Sequence, residues 1–156
     1  MTPGPGFNPD FEDLLAALHA QGVQFLVVGA HALAAHGVPR ATGDLDVWVR
    51  PEEANAGRVV AALNAFGAPL PAHGITARDF STPGLVYQLG LPPRRIDLLT
   101  QLSGLEFDEA WPGRVVLEVA GEPVPFLGRE ALLKNKRATG RPKDLADAAL
   151  LEAAAR

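Results

Sequence analysis

The stretch Asp44-Leu-Asp-Val-Trp-Val-Arg50 decides how this chain is read. Apolar and polar residues alternate with period two, the signature of a half-buried β-strand. Leu45, Val47 and Val49 share one face, and Asp44, Asp46, Trp48 and Arg50 share the other. Aspartate is depleted from strands, so two at i and i+2 on one face are informative. Their β-carbons lie about 6–7 Å apart along a strand, close enough to share one divalent cation or to flank two. A third candidate is Asp97, inside the apolar run Arg95-Ile-Asp-Leu-Leu-Thr100; if the two strands pair, it reaches the same face. At about 4 Å and an effective dielectric of 20, each pair of ionised carboxylates costs about 4 kcal/mol. Protonation or a bound cation offsets that cost. The chain has no cysteine, so an all-oxygen cluster favours magnesium or manganese. The alternative is that these aspartates cap turns or pair with Arg40, Arg50, Arg94 or Arg95.

Working outward, Asn8-Pro9 places a capping residue before a favoured first helical position. Phe11, Leu14, Leu15 and Leu18 follow at helical spacing as far as Gly22. Gln24 to Val28 is a short apolar run ending at Gly29, read as a buried strand. His31 to His36 predicts a short helix stopped by Gly37 and Pro39. Pro51-Glu-Glu opens a helix to about Ala65, with Val59, Val60 and Leu63 facing inward and acidic residues complementing its dipole. Residues 67–83 read as an irregular loop. A hairpin follows, Leu85 to Leu89 and Arg95 to Thr100, then a strand pair at Val115–Val119 and Pro123–Phe126. Helices at Glu130 to Arg137 and Pro142 to Ala155 finish the chain. The expected class is α/β (α+β), a mixed sheet with helices packed against it, in one domain spanning residues 1–156.

The chain of 156 residues carries a net charge of −4. Six cationic side chains crowd between Arg129 and Lys143 against Glu130 alone, while the rest of the chain is acidic. That imbalance argues against broad nonspecific nucleic-acid binding, which needs many cationic phosphate contacts. It suits a local pocket for a few phosphates, or a solvated cationic helix face. The absence of cysteine excludes disulfides, thiolate zinc sites and cysteine nucleophiles. With no run of 18 apolar residues and no secretory pattern at the start, the expected location is the cytoplasm, without a membrane partner.

These pieces together resemble the nucleotidyltransferase superfamily related to DNA polymerase beta. Its motif is a glycine followed by Gly or Ser, then roughly ten residues, then Asp-x-Asp. Here Gly29-Ala30 is followed, after thirteen residues, by Asp44-Leu-Asp46. The string from Val28 to Gly37, then Arg40-Ala-Thr42, looks like the small bacterial branch near the abortive-infection and toxin-type nucleotidyltransferases. Arg95-Ile-Asp97 is similar to the family's third carboxylate strand. Lys136 and Gly140-Arg-Pro-Lys-Asp-Leu-Ala-Asp147 are similar to its C-terminal Lys and Arg-x-Lys-Asp elements.

The resemblance implies a nucleotidyltransferase fold that binds a nucleoside triphosphate with two magnesium or manganese ions. Asp44 and Asp46 would hold the metals, and Asp97 would complete the site and help deprotonate the acceptor hydroxyl. Gly29 and Ala30 would adjoin the triphosphate, with Arg40 and Thr42 nearby. Lys136, Arg141 and Lys143 would neutralise phosphates, and Asp144 would orient one of those cations or the acceptor. Ala30 departs from the pattern by removing a phosphate-binding hydroxyl. The expected activity is transfer of a nucleoside monophosphate to a hydroxyl of RNA (a tRNA, for example), protein or a small molecule. The alternatives are a catalytically weak nucleotide-binding module, a toxin–antitoxin partner of the same fold, or a phosphohydrolase using the same acidic cluster. The hairpin at residues 85–100 offers an edge for a dimer. Trp48 reads as a packing aromatic or a base-stacking one. His31 and His36 read as structural histidines rather than zinc ligands, because no third nitrogen ligand has suitable spacing.

Overall fold

The computed structural model describes residues 1–154. Its eight α-helices are α1 (Pro9–Ala20), α2 (Gly29–Ala35), α3 (Glu53–Phe66), α4 (Leu70–His73), α5 (Ala77–Phe80), α6 (Phe107–Ala110), α7 (Arg129–Thr139) and α8 (Pro142–Ala154). Its strands are β1 (Phe25–Val28), β2 (Asp44–Val49), β3 (Val86–Leu89), β4 (Arg95–Leu99), β5 (Val115–Val119) and β6 (Glu122–Phe126). The predicted final residue of the last helix, Ala155, lies outside the described residues.

The six strands form one mixed sheet in the order β3-β4-β2-β1-β6-β5. The expected hairpin forms, β3 antiparallel to β4 with Gln88 opposite Asp97, and so does the antiparallel β5–β6 pair. β1 runs antiparallel to β2, and β2 runs parallel to β4 with Asp46 opposite Asp97. The N-terminal arm closes one edge of the sheet: Gly4 N–H donates to Glu118 O at 2.7 Å, and Glu118 N–H to Thr2 O at 2.8 Å.

Each face of the sheet supports its own core. Phe25, Val27, Leu45, Val47 and Val49 point toward α1 and α3, where Phe11, Leu14, Leu18, Val59 and Leu63 meet them. Leu26, Val28 and Trp48 point to the opposite side and pack with Leu33, Leu132, Leu133 and Leu151. Fully burying each such side chain contributes about 1.5–3 kcal/mol. Period two in β1 therefore divides one apolar run between two cores, and in β2 it sets an apolar face against one bearing aspartates.

The expected loop at 67–83 is a correction: it contains α4 and α5. Thr76 N–H donates to Asp79 Oδ2 at 2.8 Å in a capping box, and Phe80 is fully buried against Tyr87 with ring centroids 6.1 Å apart. Helices of a single turn give too few residues for a periodic signal, so packing decides them. Helix α2 starts at Gly29 rather than His31. Among the described residues no helix is long and apolar enough to cross a membrane.

Candidate active site

The parallel pairing of β2 with β4 gathers the three strand aspartates. Cα partners on neighbouring strands lie about 4.8 Å apart with their side chains on the same side, so Asp46 and Asp97 stand shoulder to shoulder, and Asp44 follows two residues back along β2. Asp97 is buried, at 7% exposure. Burial pushes the Asp46 carboxyl up to about 7, with repulsion from Asp97 and Asp44 adding to it and Arg95 partly offsetting it. Burial also raises Asp97, against the pull of Arg95. Oδ1 of Asp44 and Oδ1 of Asp97 are buried without a hydrogen-bond partner.

Arg95, directly opposite Asp44 on β4, is the residue that sequence reasoning placed only among possible ion-pair partners. Its Nη2 donates to Asp44 Oδ2 at 2.8 Å, and its Nε lies 3.6 Å from Asp97 Oδ1. One guanidinium therefore leans on two of the three carboxylates. Arg40, Arg50 and Arg94 pair elsewhere, with Asp147, Asp108 and Asp10. Among the described residues no three carboxylate or imidazole side chains stand as a ready-made metal cage. The donor chemistry nevertheless suits a hard divalent cation. It is all oxygen, two of its buried oxygens lack partners, and it carries three carboxylates against one guanidinium.

Gly29 sits where β1 turns into α2, with φ +67°, a conformation L side chains rarely adopt. A Cβ there would overlap the Asp46 carboxylate. The missing side chain thus makes room for Asp46 to lie against the backbone.

Facing the aspartates is a cavity of about 330 Å³ lined by Gly29, Ala30, Thr42, Asp44 and Asp46 on the sheet side, by Arg40, and by Lys136, Arg141, Lys143 and Asp144 from α7, α8 and their connection. All eight residues named above for nucleotide binding therefore border one space with two of the carboxylates. Asp97 lies beside Asp46 and is not part of that lining. Asp147, one turn beyond Asp144, also lines it; the i, i+3 spacing was the signal for it.

The cations are held in a network. Lys136 Nζ lies 3.1 Å from Asp144 Oδ1 and 3.6 Å from Asp147 Oδ2; Arg141 Nη2 lies 2.8 Å from Asp144 Oδ2; and Arg40 pairs with Asp147. Thr139 Oγ1 donates to Asp144 Oδ2 at 2.7 Å. Burial pushes the Asp144 carboxyl up, but hydrogen bonds from Thr139, Lys136 and Arg141 outweigh it and hold the group below the usual carboxylate range. Lys143, exposed at the rim, has no ion-pair partner among the described residues. Thr42 closes the turn into β2, its Oγ1 accepting from Asp44 N–H at 3.0 Å.

Trp48 is buried edge-to-face against Phe107, 5.0 Å between centroids. His36 Nε2 lies 2.8 Å from Leu127 O, and His31 packs on Phe7, so neither histidine joins the carboxylates.

No family model and no curated protein matches this sequence. Solved structures do match. The candidate nucleotidyltransferase TM1012 of Thermotoga maritima superposes over 94% of this chain and 92% of its own, with a TM-score of 0.54 and 15% identity. The fold is that of the nucleotidyltransferases. A second structure, ANT(2")-Ia in complex with adenylyl-2"-tobramycin, covers 90% of this chain and 84% of its own at a TM-score of 0.53 and 19% identity. In this nucleotidyltransferase fold the carboxylates sit on two central strands, β2 and β4, and the cations come from the two C-terminal helices and the turn joining them.

Proposed function

We propose that this chain is a metal-dependent nucleotidyltransferase that moves a nucleoside monophosphate from a triphosphate to a hydroxyl. The observation that carries the reading is the pairing of Asp44, Asp46 and Asp97 on adjacent strands with a cavity whose other wall supplies Lys136, Arg141 and Lys143. Asp44 and Asp46 would hold two magnesium or manganese ions, with Asp97 completing the set. When bound, the ions neutralise charge on the attacking and leaving oxygens. Lys143 and Arg141 meet the triphosphate first, because they stand at the exposed rim. Lys136 supplies a fixed charge deeper in, oriented by Asp144 and Asp147. Asp97, already pushed toward protonation, takes the proton of the acceptor hydroxyl.

Magnesium and a triphosphate together should raise the melting temperature more than either alone, by binding to the folded state. Asp46→Asn should abolish that joint increment and lower transfer on the order of 10³-fold. The assay is transfer of label from each α-labelled triphosphate into cell extract. An undiminished joint increment in Asp46→Asn would overturn the metal assignment.

A specific pair of observations favours a second reading, a nucleotide-binding module with weak catalysis. Arg95 already leans on Asp44 and Asp97, and Ala30 provides no hydroxyl for phosphate. Triphosphate binding with no labelled product from any of the four nucleotides would select it.

A further inference from the structure

Four side chains form a square on the aspartate-bearing face of β2 and β4. In the β2–β4 register Arg95 stands opposite Asp44, and Asp97 stands opposite Asp46. Neighbouring strands are about 4.8 Å apart and successive same-face residues about 6–7 Å, so every corner lies within side-chain reach of the others. Three corners carry carboxylates and the fourth a guanidinium. The strand register itself thus plants a fixed cation among the residues proposed above to hold metal.

Its grip on them is incomplete. A guanidinium offers five N–H donors. Among the described residues the Arg95 side chain makes one hydrogen bond, from Nη2 to Asp44 Oδ2 at 2.8 Å. Nε lies 3.6 Å from Asp97 Oδ1, beyond hydrogen-bond distance, and both atoms are buried without a partner. The side chain is nevertheless 33% exposed, so water can receive it when it leaves. Lys136 across the cavity is the opposite case, 12% exposed and held by Asp144 and Asp147 together.

A divalent ion needs the same oxygens. Arg95 occupies one oxygen of Asp44 and sets its charge against Asp97. A guanidinium also repels any cation brought within a few ångströms of it. An ion taken up by Asp44, Asp46 and Asp97 therefore replaces Arg95 rather than joining it. With neither cation present, three clustered carboxylates would be left to repel one another.

We propose that Arg95 is a displaceable counter-ion: it holds the strand carboxylates together while no metal is bound, and its release sets the affinity for the entering ion. The inference rests on the metal reading above. Arg95 is a positioning residue here, because it touches the ligands and not the substrate. A guanidinium stays charged at every working pH, so it yields by moving and not by losing a proton.

The test is titration calorimetry of manganese into full-length protein without nucleotide, at pH 8 to limit competition from protons. Arg95→Gln should bind manganese about tenfold or more tightly than wild type, while its metal-free melting temperature falls. Arg95→Lys, which restores the charge, should return the affinity to near the wild-type value. Adding Asp46→Asn to Arg95→Gln should cancel the gain and so tie it to this site. An arginine with a purely structural role gives another pattern, a lower melting temperature with unchanged or weaker manganese binding, and that result overturns the proposal. A second measurement on the wild-type protein covers the case in which Arg95→Gln fails to fold. In ¹⁵N-labelled protein the Arg95 Nε–H resonance, identified by its loss in Arg95→Lys, should move toward that of exposed arginines as magnesium saturates the site. A resonance that stays in place at saturation also overturns the proposal and leaves the metal reading intact. Absence of manganese binding in both wild type and Arg95→Gln would instead sink the metal reading, and this inference with it.

Discussion

Two groups of aspartates at the same site stand in opposite electrostatic states. Asp144 and Asp147 on α8 are buried, 4% and 2% exposed, and each meets cations: Lys136 and Arg141 for the first, Arg40 and Lys136 for the second. Asp44, Asp46 and Asp97 on the strands share one guanidinium among three. The result is a carboxyl held low at Asp144 and one pushed up to about 7 at Asp46. Burial acts the same way on both; the neighbours differ. Helix α8 thus uses its acids to fix cations in place, whereas the strands keep surplus negative charge. That surplus is costly and is the feature a divalent ion would relieve.

The contrast can be broken most forcefully on the helix side. Asp147→Ala leaves Arg40 without its partner and Lys136 with one carboxylate, and should destabilise the protein by about 3 kcal/mol in urea unfolding at neutral pH. An effect within experimental error would mean the helix acids are not serving as counter-charges.

The strand side is sharpened by pH. The folded-state Asp46 carboxyl stands at about 7 against 3.8 for an ordinary aspartate. The folded protein therefore holds a proton there that the unfolded chain has already released, so this group's stabilisation is complete below pH 3.8 and is lost as pH rises through about 7. In the metal-free protein that loss amounts to no more than about 1.4 kcal/mol per pH unit. Asp144 has the opposite sign, its contribution being present above the ordinary carboxylate range and lost as pH falls through its lowered value. Thermal unfolding between pH 5 and 8 should slope downward in wild type and flatten in Asp46→Asn; equal slopes would remove Asp46 as the cause. Magnesium should also flatten the profile, because ions and protons compete for the same oxygens.

The smallest effect is expected at Gly29→Ala. Strain at φ +67° costs about 1 kcal/mol, and the added Cβ would displace the Asp46 carboxylate, so manganese affinity by titration calorimetry should fall more than stability does. Unchanged affinity would show that the Asp46 position against the backbone is immaterial.

Much of this was legible in the linear chain because side-chain period is a local property. The alternation in residues 44–50 assigned Leu45, Val47 and Val49 to one core and the aspartates to the other side, and the structure follows it. Helix caps at Asn8 and the proline at position 9 likewise act within one turn. The single-turn helices α4 and α5 escaped notice because their stability comes from the burial of Leu70 and Phe80 against distant residues. Arg95 was visible only as one of four candidate arginines. Its choice of Asp44 follows from the β2–β4 register, a contact across about fifty residues that no local pattern encodes. Asp147 shared its helix side with Asp144, but only the packing of α8 near Arg40 makes it part of the cavity.

By itself the sequence determined which residues alternate, cap and carry charge, since spacing along a strand or helix converts directly into a shared face. Tertiary structure alone decided that three like charges would lie within reach of one arginine and that Gly29 would make room for Asp46. Those outcomes depend on through-space distance and desolvation, which arise only when remote segments pack together.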